Sequence, residues 1–411
     1  MRILLITEAS DAGVGRHFLD LAEGLLAAGH EVHLVYSSLR LGRNFARRVE
    51  GLCSAACCVV DMRRGPHPSD FHAVLQTRRY IRDRGPFDVI HGHSSKGGAI
   101  ARLAGVGSGS AVLYTPHAFV TMDPNLSAKA RFIYGAIERV LGWLSSSVVA
   151  LTGDERAAIA RAGVRAGKIA IVPNSIAPPE FLSRAEARQQ LGLPREGVTV
   201  GFVGRLFEQK DPQLLLRAFA QVADLPELPI LGIIGDGPLR GELEGLIREF
   251  ALEGKVHLLG EHPAAPLMRA FDIYAMSSLY EGMPYVLLEA MAASLPIVST
   301  VVSSSPELID DGVSGLLVRQ RTPEAFAAAL RQLIVDESKR NQFAAEAARR
   351  AAGFTLEEMI ETTVDLYRDM RVKEHGPIAG ETRKQTEEVR RSPVACGAGE
   401  SNGMNEREPT C

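Results

Sequence analysis

Several features are scarce in this sequence, and each shortage excludes a class of protein. Only 5 of the 411 residues are cysteine, and three of them are bunched at Cys53, Cys57 and Cys58, which leaves no paired disulfide framework. We therefore expect reduced thiols and a cytoplasmic location. The best candidate for a membrane span, residues 283–302, contains a glutamate and a proline, which argues against a span. Residues 1–7 run directly into a predicted strand, so we expect no secretory signal.

The charge is nearly balanced over the whole chain but not along it. There are 46 Lys+Arg against 49 Asp+Glu, a net charge of −3. Residues 1–175 carry 21 basic and 14 acidic residues, which leaves 25 basic and 35 acidic residues for the remainder. A basic first half indicates either an anionic partner on that side or an uneven surface charge without a partner.

Apolar runs alternate with helical patterns along most of the chain. Runs that are apolar on both faces and separated by helices predict parallel sheets covered on both sides. The predicted strands of the first half are residues 2–7, 32–37, 58–62, 89–93, 111–117, 148–152 and 169–173, and those of the second half are 199–204, 230–235, 256–260, 273–276, 297–300 and 315–318. The sequence therefore predicts an α/β protein with two Rossmann-like, doubly wound lobes facing each other across a cleft.

Proline marks the boundary between the two predicted lobes. Pro173, Pro178 and Pro179 lie within seven residues of one another, which is typical of a connector. Residues beyond 372 include no Leu, Phe, Tyr or Trp, so we expect that tail to be disordered. The predicted units are an N-terminal lobe at 1–176, a linker at 177–196, a C-terminal lobe at 197–355, a helix at 356–372 and a tail at 373–411.

Two glycine-rich segments follow predicted strands and precede predicted helices. Glycine allows backbone N–H groups to approach an anion, and a helix N-terminus adds partial positive charge. A simple tight turn explains each segment equally well. The glycines are Gly13 and Gly15 in the first segment and Gly235 and Gly237 in the second.

Two cations follow the first strand of the second lobe. Arg205 and Lys210 lie on either side of a short loop, with a predicted helix from Pro212 onward. An arginine fork and a lysine point charge at a strand end suit a diphosphate. A solvated loop is the alternative.

The most specific pattern is a pair of glutamates around a helix start. Glu281 precedes Gly282 and Met283, whose N–H groups lie where an anion is favoured, and Glu289 projects from the helix that follows. We expect Pro284 at the first helical position. The two carboxylates lie far enough apart to accept hydrogen bonds from opposite sides of one ligand. The alternative is a helix-start carboxylate and a solvated glutamate.

Three histidines fall at predicted strand ends. His91 and His93 share a spacing compatible with metal ligation. No Asp or Cys at matching spacing joins them and the sequence has no Asp-x-Asp pair, so we expect no metal and interpret them as polar cleft residues. His117 is the better catalytic candidate, and a packed structural histidine is the alternative.

Residues 39–52 form a basic amphipathic pattern. Leu41, Phe45 and Val49 lie along one stripe with arginines around it. Such a helix can lie on an anionic membrane surface, or it can pack on the domain with a solvated basic face.

Together these segments resemble glycosyltransferase family 4, whose members have the GT-B fold. The matching pieces are Gly13-Val14-Gly15-Arg16-His17, Thr115-Pro116-His117, Val172-Pro173-Asn174, Gly201-Phe202-Val203-Gly204-Arg205-Leu206 with Lys210, Gly235-Asp236-Gly237-Pro238, and Glu281 with Glu289. Residues 93–98 and 115–119 are similar to members that build bacterial exopolysaccharide, capsule or lipid-linked oligosaccharide.

The resemblance implies a reaction and a role for each site residue. It implies sugar transfer from a UDP- or GDP-linked donor with retention at the anomeric carbon, without a metal or other cofactor. The first lobe would bind the acceptor and the second the nucleotide-sugar, and the helix at 356–372 would pack back on the first lobe. Arg205 and Lys210 would hold the diphosphate, Glu289 the ribose hydroxyls and Glu281 the donor-sugar hydroxyls. The other implied roles are His117 at the reaction centre, amides after Gly13 and Glu281 near phosphate and sugar, and Glu261 and His262 in the loop beside the base.

The resemblance leaves several partners open. The expected ones are a nucleotide-sugar and a glycan or lipid-linked acceptor, with a possible anionic surface on the inner face of the plasma membrane and no nucleic acid. One alternative is a GT-B enzyme with a soluble small acceptor, or a UDP-sugar epimerase. The other is a non-catalytic binding protein, against which the intact Arg205, Lys210, Glu281 and Glu289 argue.

Overall fold

The computed structural model describes residues 1–52 and 57–375, which form two α/β lobes. The first lobe contains a parallel sheet of seven strands in the order β3-β2-β1-β4-β5-β6-β7. Its strands are β1 (Arg2–Thr7), β2 (Glu31–Tyr36), β3 (Cys57–Val59), β4 (Val89–His93), β5 (Ala111–Thr115), β6 (Ser147–Ala150) and β7 (Ile169–Ile171).

The second lobe repeats this plan with a parallel sheet of six strands. Their order is β10-β9-β8-β11-β12-β13. The strands are β8 (Thr199–Val203), β9 (Ile230–Ile234), β10 (Val256–Gly260), β11 (Ile273–Met276), β12 (Ile297–Thr300) and β13 (Gly315–Val318). The two-lobed fold predicted from the sequence is confirmed, because every predicted strand is present.

Helices connect the strands and cover both faces of each sheet. In the first lobe they are α1 (Ala12–Ala27), α2 (Arg43–Leu52), α3 (Asp70–Arg84), α4 (Ser94–Ala104), α5 (Ala128–Trp143) and α6 (Gly153–Arg161). Those that follow are α7 (Arg184–Leu191), α8 (Pro212–Ala220), α9 (Arg240–Glu249), α10 (Ala264–Leu267), α11 (Tyr285–Ala292), α12 (Ser305–Leu308), α13 (Pro323–Val335), α14 (Glu337–Ala351) and α15 (Leu356–His375).

Strand β1 shows why the sheets form. Four consecutive residues, Ile3 to Ile6, have no exposed surface, because apolar clusters lie on both sides of the sheet. The register aligns Thr7 of β1 with His93 of β4, and His93 with Thr115 of β5. Because β2 and β4 lie on opposite sides of β1, the strand order reverses there, and the carboxyl ends of these strands border a crevice suited to ligands.

The last helix, α15, returns to the first lobe. Ile360 lies so close to Gly24 of α1 that a Cβ added to the glycine would meet it at 2.5 Å. The Tyr367 hydroxyl lies 2.6 Å from Nδ1 of His91, and both residues are buried. The helix extends three residues beyond the predicted end at 372, so residues 373–375 of the predicted tail are helical, and residues 376–411 lie outside the described residues.

Helix α2 packs on the lobe through its apolar stripe. Phe45 and Val49 are buried, and Arg48 forms ion pairs of 2.7 Å with both Asp20 and Glu23 of α1. Of the two interpretations of this segment, the stripe fits a packing surface. Across the described residues, no helix is long and apolar enough to cross a membrane.

Two local expectations are wrong. Pro284 has an extended backbone and precedes α11, so it is the N-cap residue and not the first helical one. The reduced-thiol expectation fails at Cys57, which is disulfide-bonded, whereas Cys58 is a free thiol.

Candidate active site

A cavity of about 1450 Å³ lies between the lobes at the carboxyl edges of both sheets. It brings together residues that the sequence places more than 250 positions apart. Predicted site residues from both lobes line it: Gly13, His117, Arg205, Lys210, Glu281, Gly282, Met283 and Glu289.

The predicted diphosphate cations lie in the loop after β8. Lys210 Nζ donates to Oε1 of Glu281 at 2.6 Å, so the lysine and the glutamate predicted to hold different parts of one donor contact each other. The loop is held in place by Ser277, whose hydroxyl donates to the Lys210 carbonyl at 2.8 Å. Arg205 is exposed beside it, with its guanidinium carbon 5.0 Å from the Phe207 ring centre.

Glu289 contacts a residue that sequence reasoning did not assign to the site. Arg16 of α1 reaches across the cleft, donates to Oε1 of Glu289 and lies over the ring of Tyr285 at 4.6 Å. Burial raises the pKa of Glu289, and the charge and hydrogen bond of Arg16 oppose that rise. An arginine beside a predicted anion-binding turn was the only available signal, because the sequence does not show contacts between lobes.

Two further contacts join the lobes at the same place. Asn174 donates through Nδ2 to the Met283 carbonyl at 2.7 Å, and its own N–H donates to the Met283 sulfur at 3.2 Å. Gly282 packs on the loop after β5, where an added Cβ would meet the His117 carbonyl oxygen at 2.8 Å. Glycine is therefore required at 282 by this close approach.

The loop that carries His117 has an unusual backbone. His117 has φ +62° and Ala118 has φ +146°, conformations that L-residues seldom adopt. Glu155 of α6 is fully buried, accepts from the Leu151 N–H at 2.7 Å and faces the amides of Ala118 and Phe119. Burial raises the pKa of Glu155 to about 7, although these amides oppose the rise. Glu155 thus supports the strained loop.

His117 belongs to a cluster of four histidine rings. Its Nε2 lies 3.1 Å from Nδ1 of His93, and the His17 ring is 4.5 Å away. Burial lowers the pKa of His17 to about 4 and that of His91 to about 3, so both are neutral at pH 7. His17, which sequence reasoning quoted only as part of a motif, is fixed by the Asn174 side-chain oxygen at 3.0 Å from Nδ1.

Three of these rings are close enough to hold a metal ion. One nitrogen each from His17, His93 and His117 lies within 4.8 Å of the others, and imidazole suits zinc and copper. Nε2 of His93 is buried without a hydrogen-bond partner in the described structure. The three histidines therefore form a candidate metal site, which chelation followed by a turnover assay tests.

The remaining predicted donor residues lie outside the cavity lining and stay predictions. The Gly15 N–H donates to the Asp11 carbonyl at 3.1 Å within α1. The glycines after β9 have a packing role, because a Cβ on Gly235 would meet the Gly204 carbonyl oxygen at 1.9 Å. The other residues in this group are Gly237, whose φ is +158°, and Glu261 and His262 in the loop after β10.

The first lobe adds three cations to the same cavity. Lys96 of α4 is buried, donates to the Gly65 carbonyl at 2.8 Å and pairs with Asp70. Arg40 and Arg64 also line this side, and Arg40 lies 3.3 Å from Glu8. These three cations therefore face the cleft from the lobe opposite Arg205 and Lys210, and Glu8 and Asp70, the partners of Arg40 and Lys96, line the cavity beside them.

Both lobes match known glycosyltransferase domains. Residues 12–175 match the family described as glycosyl transferase 4-like domain, and residues 183–350 match glycosyl transferases group 1. A D-inositol 3-phosphate glycosyltransferase of Corynebacterium urealyticum is 30% identical over 312 residues, which cover 71% of this chain and 74% of that protein. The chain belongs to glycosyltransferase family 4 and is a glycosyltransferase with the GT-B fold.

One further sequence relative and one solved structure are also similar to this chain. The Escherichia coli protein named UDP-Gal:alpha-D-GlcNAc-diphosphoundecaprenol alpha-1,3-galactosyltransferase is 27% identical, over 69% of this chain and 76% of its own length. Anabaena HepE, solved with UDP and glucose, superposes with a TM-score of 0.77 at 21% identity, over 89% of this chain and 99% of its own. The structural match supports the fold.

Proposed function

We propose that this glycosyltransferase is retaining and metal-independent and moves a hexose from a UDP- or GDP-sugar to a phosphate-bearing, lipid-linked glycan acceptor. Its place would be the cytoplasmic face of a bacterial plasma membrane, in cell-envelope polysaccharide synthesis. One observation carries the proposal: the cleft brings Arg205, Lys210, Glu281 and Glu289 opposite His117.

Departure of the nucleotide diphosphate is assisted by fixed charges. The diphosphate takes Lys210 from Glu281 and lies against Arg205, so that negative charge developing on the leaving group meets two cations. Glu281, released from Lys210, accepts hydrogen bonds from donor-sugar hydroxyls. The ion pair in the donor-free protein thus keeps both groups in place before binding.

Retention is proposed to proceed by departure and attack on the same face of the sugar. In the proposed complex Glu281 accepts hydrogen bonds from donor-sugar hydroxyls and Glu289 accepts them from ribose hydroxyls, so neither carboxylate is assigned to attack the anomeric carbon. The two-carboxylate scheme of glycosidases is therefore a poor description of this pair. His117, neutral because burial lowers its pKa, lines the side from which the acceptor approaches.

The first-lobe cations support an acceptor that carries phosphate. Arg40, Arg64 and Lys96 face the cavity from the lobe opposite the donor loop. The names of both curated relatives specify phosphate on the acceptor, as inositol 3-phosphate in one and as diphosphoundecaprenol in the other. A soluble sugar phosphate is therefore the second candidate acceptor, and these cations fit it equally well.

A thermal-shift screen with UDP, GDP and their sugar conjugates tests donor binding. A ligand that binds the folded protein raises its unfolding temperature, and we expect one nucleotide series to do so at concentrations well above its Kd. If no nucleotide stabilises the protein, the donor assignment fails.

Two substitutions test the site. The donor for this test is the nucleotide-sugar that stabilises the protein in the thermal-shift screen, and turnover is measured as release of its nucleotide. Lys210→Ala and Glu289→Ala should each reduce this turnover by about 100-fold or more, since each removes a charged group at the donor. The control is Lys373→Ala, which removes an exposed lysine of α15. Unchanged turnover in both site variants would contradict the assignment.

A further inference from the structure

Helix α5 is exposed to an extent that its composition does not explain. Of its 16 residues only Glu138, Leu141 and Gly142 are buried. Phe132 is 78% exposed and Trp143 is 65% exposed. The other large apolar side chains that are more than a third exposed are Ile133, Ile137 and Val140 on the helix and Leu144 just after it. Contiguous apolar surface of this kind marks an interaction site.

The exposed charges on this helix all have one sign. Lys129, Arg131 and Arg139 are exposed, whereas the single acid, Glu138, is buried and accepts from Arg102 at 2.8 Å. A helix with aromatic and aliphatic side chains and basic residues around them complements an anionic lipid surface.

The C-terminal end of α5 continues this basic surface. Lys168 donates to the carbonyls of Trp143 and Ser145 at 3.3 and 2.5 Å. Burial lowers the pKa of Lys168, and the charge of nearby Arg165 lowers it further. The single tryptophan of the chain therefore lies next to cations at the helix end. Tryptophan is favoured at such a boundary because its ring is apolar and its N–H is polar.

The apolar face is continuous with the cleft. Ile137 and Val140 of α5 line the cavity, as do Ile100 and Leu103 of α4. Leu103 is itself partly open to solvent. An apolar lip thus connects the exposed helix with the chamber that holds His117.

We propose that α5 lies in the headgroup region of an anionic bilayer, with its apolar side chains inserted and the cavity lip guiding the lipid chain of the acceptor into the cleft. The guidance of the acceptor's lipid chain into the cleft rests on the proposed function, whereas the contact of α5 with the bilayer does not. A second copy of this chain is a poorer occupant, because a symmetric contact would bring together two surfaces whose exposed charges, Lys129, Arg131 and Arg139, are all positive.

The single Trp143 allows a direct test in the full-length protein. We expect its fluorescence to shift to the blue, and the protein to float with vesicles, when phosphatidylcholine vesicles contain about a third phosphatidylglycerol. Neither effect should occur with pure phosphatidylcholine, and 0.5 M salt should weaken binding, since surface charges are then screened.

Variants identify the surface. Phe132→Ser should lower the vesicle partition coefficient about tenfold, and adding Trp143→Ser should lower it further. The control, Leu228→Ser, removes an apolar side chain that is 66% exposed in the second lobe, and should bind like the wild type. Nucleotide-induced stabilisation should be unchanged in all three, which shows that they are folded.

Several outcomes would overturn the proposal. These are equal flotation of Phe132→Ser and wild type, no flotation of the wild type, or a dimer whose Trp143 emission is already shifted without vesicles. Flotation without any nucleotide binding would contradict the proposed function and leave the surface assignment standing.

Discussion

Replacing Glu155 by glutamine tests the strained loop through its pH dependence. The native pKa of Glu155 is raised by burial from the usual 4.5 to about 7. Between these values the native protein holds a proton that the unfolded chain has released, so the free energy of unfolding falls as pH rises. The full shift corresponds to about 3 kcal/mol, reached above pH 7. A glutamine side chain does not titrate, so the variant should lack this loss.

The assay is urea unfolding of wild type and Glu155→Gln at pH 5, 6, 7 and 8. We expect the variant to gain about 2–3 kcal/mol relative to the wild type between pH 5 and pH 8. The free energies of unfolding of variant and wild type can also differ by an amount that is the same at every pH, because an amide replaces a carboxyl. Only a change with pH in the difference between the two free energies therefore tests the raised pKa. Exposed Glu361→Gln on α15 is the matched control and should show no such change.

A difference between Glu155→Gln and wild type that stays constant from pH 5 to pH 8 would refute the reasoning. It would mean that the native pKa of Glu155 is not raised, either because water reaches the carboxyl beneath the loop after His117 or because the amides of Ala118 and Phe119 favour the carboxylate more than burial disfavours it. Extending the series to about pH 3 separates the two cases, since only in the second does the difference fall as pH rises from about 3 to about 5.

Three further outcomes follow from contacts described above. Gly282→Ala should reduce turnover at least tenfold by pushing the His117 backbone away, whereas Gly245→Ala, with open space at its Cβ, should not. Tyr367→Phe should lower the free energy of unfolding by about 1–3 kcal/mol, because it leaves Nδ1 of buried His91 without its hydrogen-bond partner, while Nε2 keeps Thr115. Exhaustive chelation should leave turnover unchanged; a loss restored by zinc would instead assign a metal to the histidine cluster.

The sheets could be predicted from sequence because their strands are buried on both faces. A run such as that of β1 has no polar face and leads into an amphipathic helix, so local pattern and global fold agree. The positions of Arg205, Lys210 and Glu281 followed from the same logic, since polar residues just after parallel strands meet at one edge.

Other features depend on contacts that no local pattern contains. Arg16 and Glu289 are 273 residues apart, and their pairing follows from how the lobes meet. Glu155 reads as an acid in the first turn of a helix, where its N–H is capped by Thr152, yet the loop after His117 buries it completely. Helix α5 has the composition of a core helix, and only the structure shows that its apolar outer side is left uncovered by residues 1–52 and 57–375.

The contact between Arg16 and Glu289 places a guanidinium on the carboxylate that is proposed to bind the ribose. On the proposed role of Glu289, a nucleotide gains its ribose contact only by exchanging with the guanidinium of the opposite lobe. The apparent affinity for the donor is then the intrinsic affinity multiplied by the fraction of molecules in which Glu289 has separated from Arg16. Arg16 thus acts as a tethered competitor, and its strength sets the donor concentration at which the enzyme begins to work.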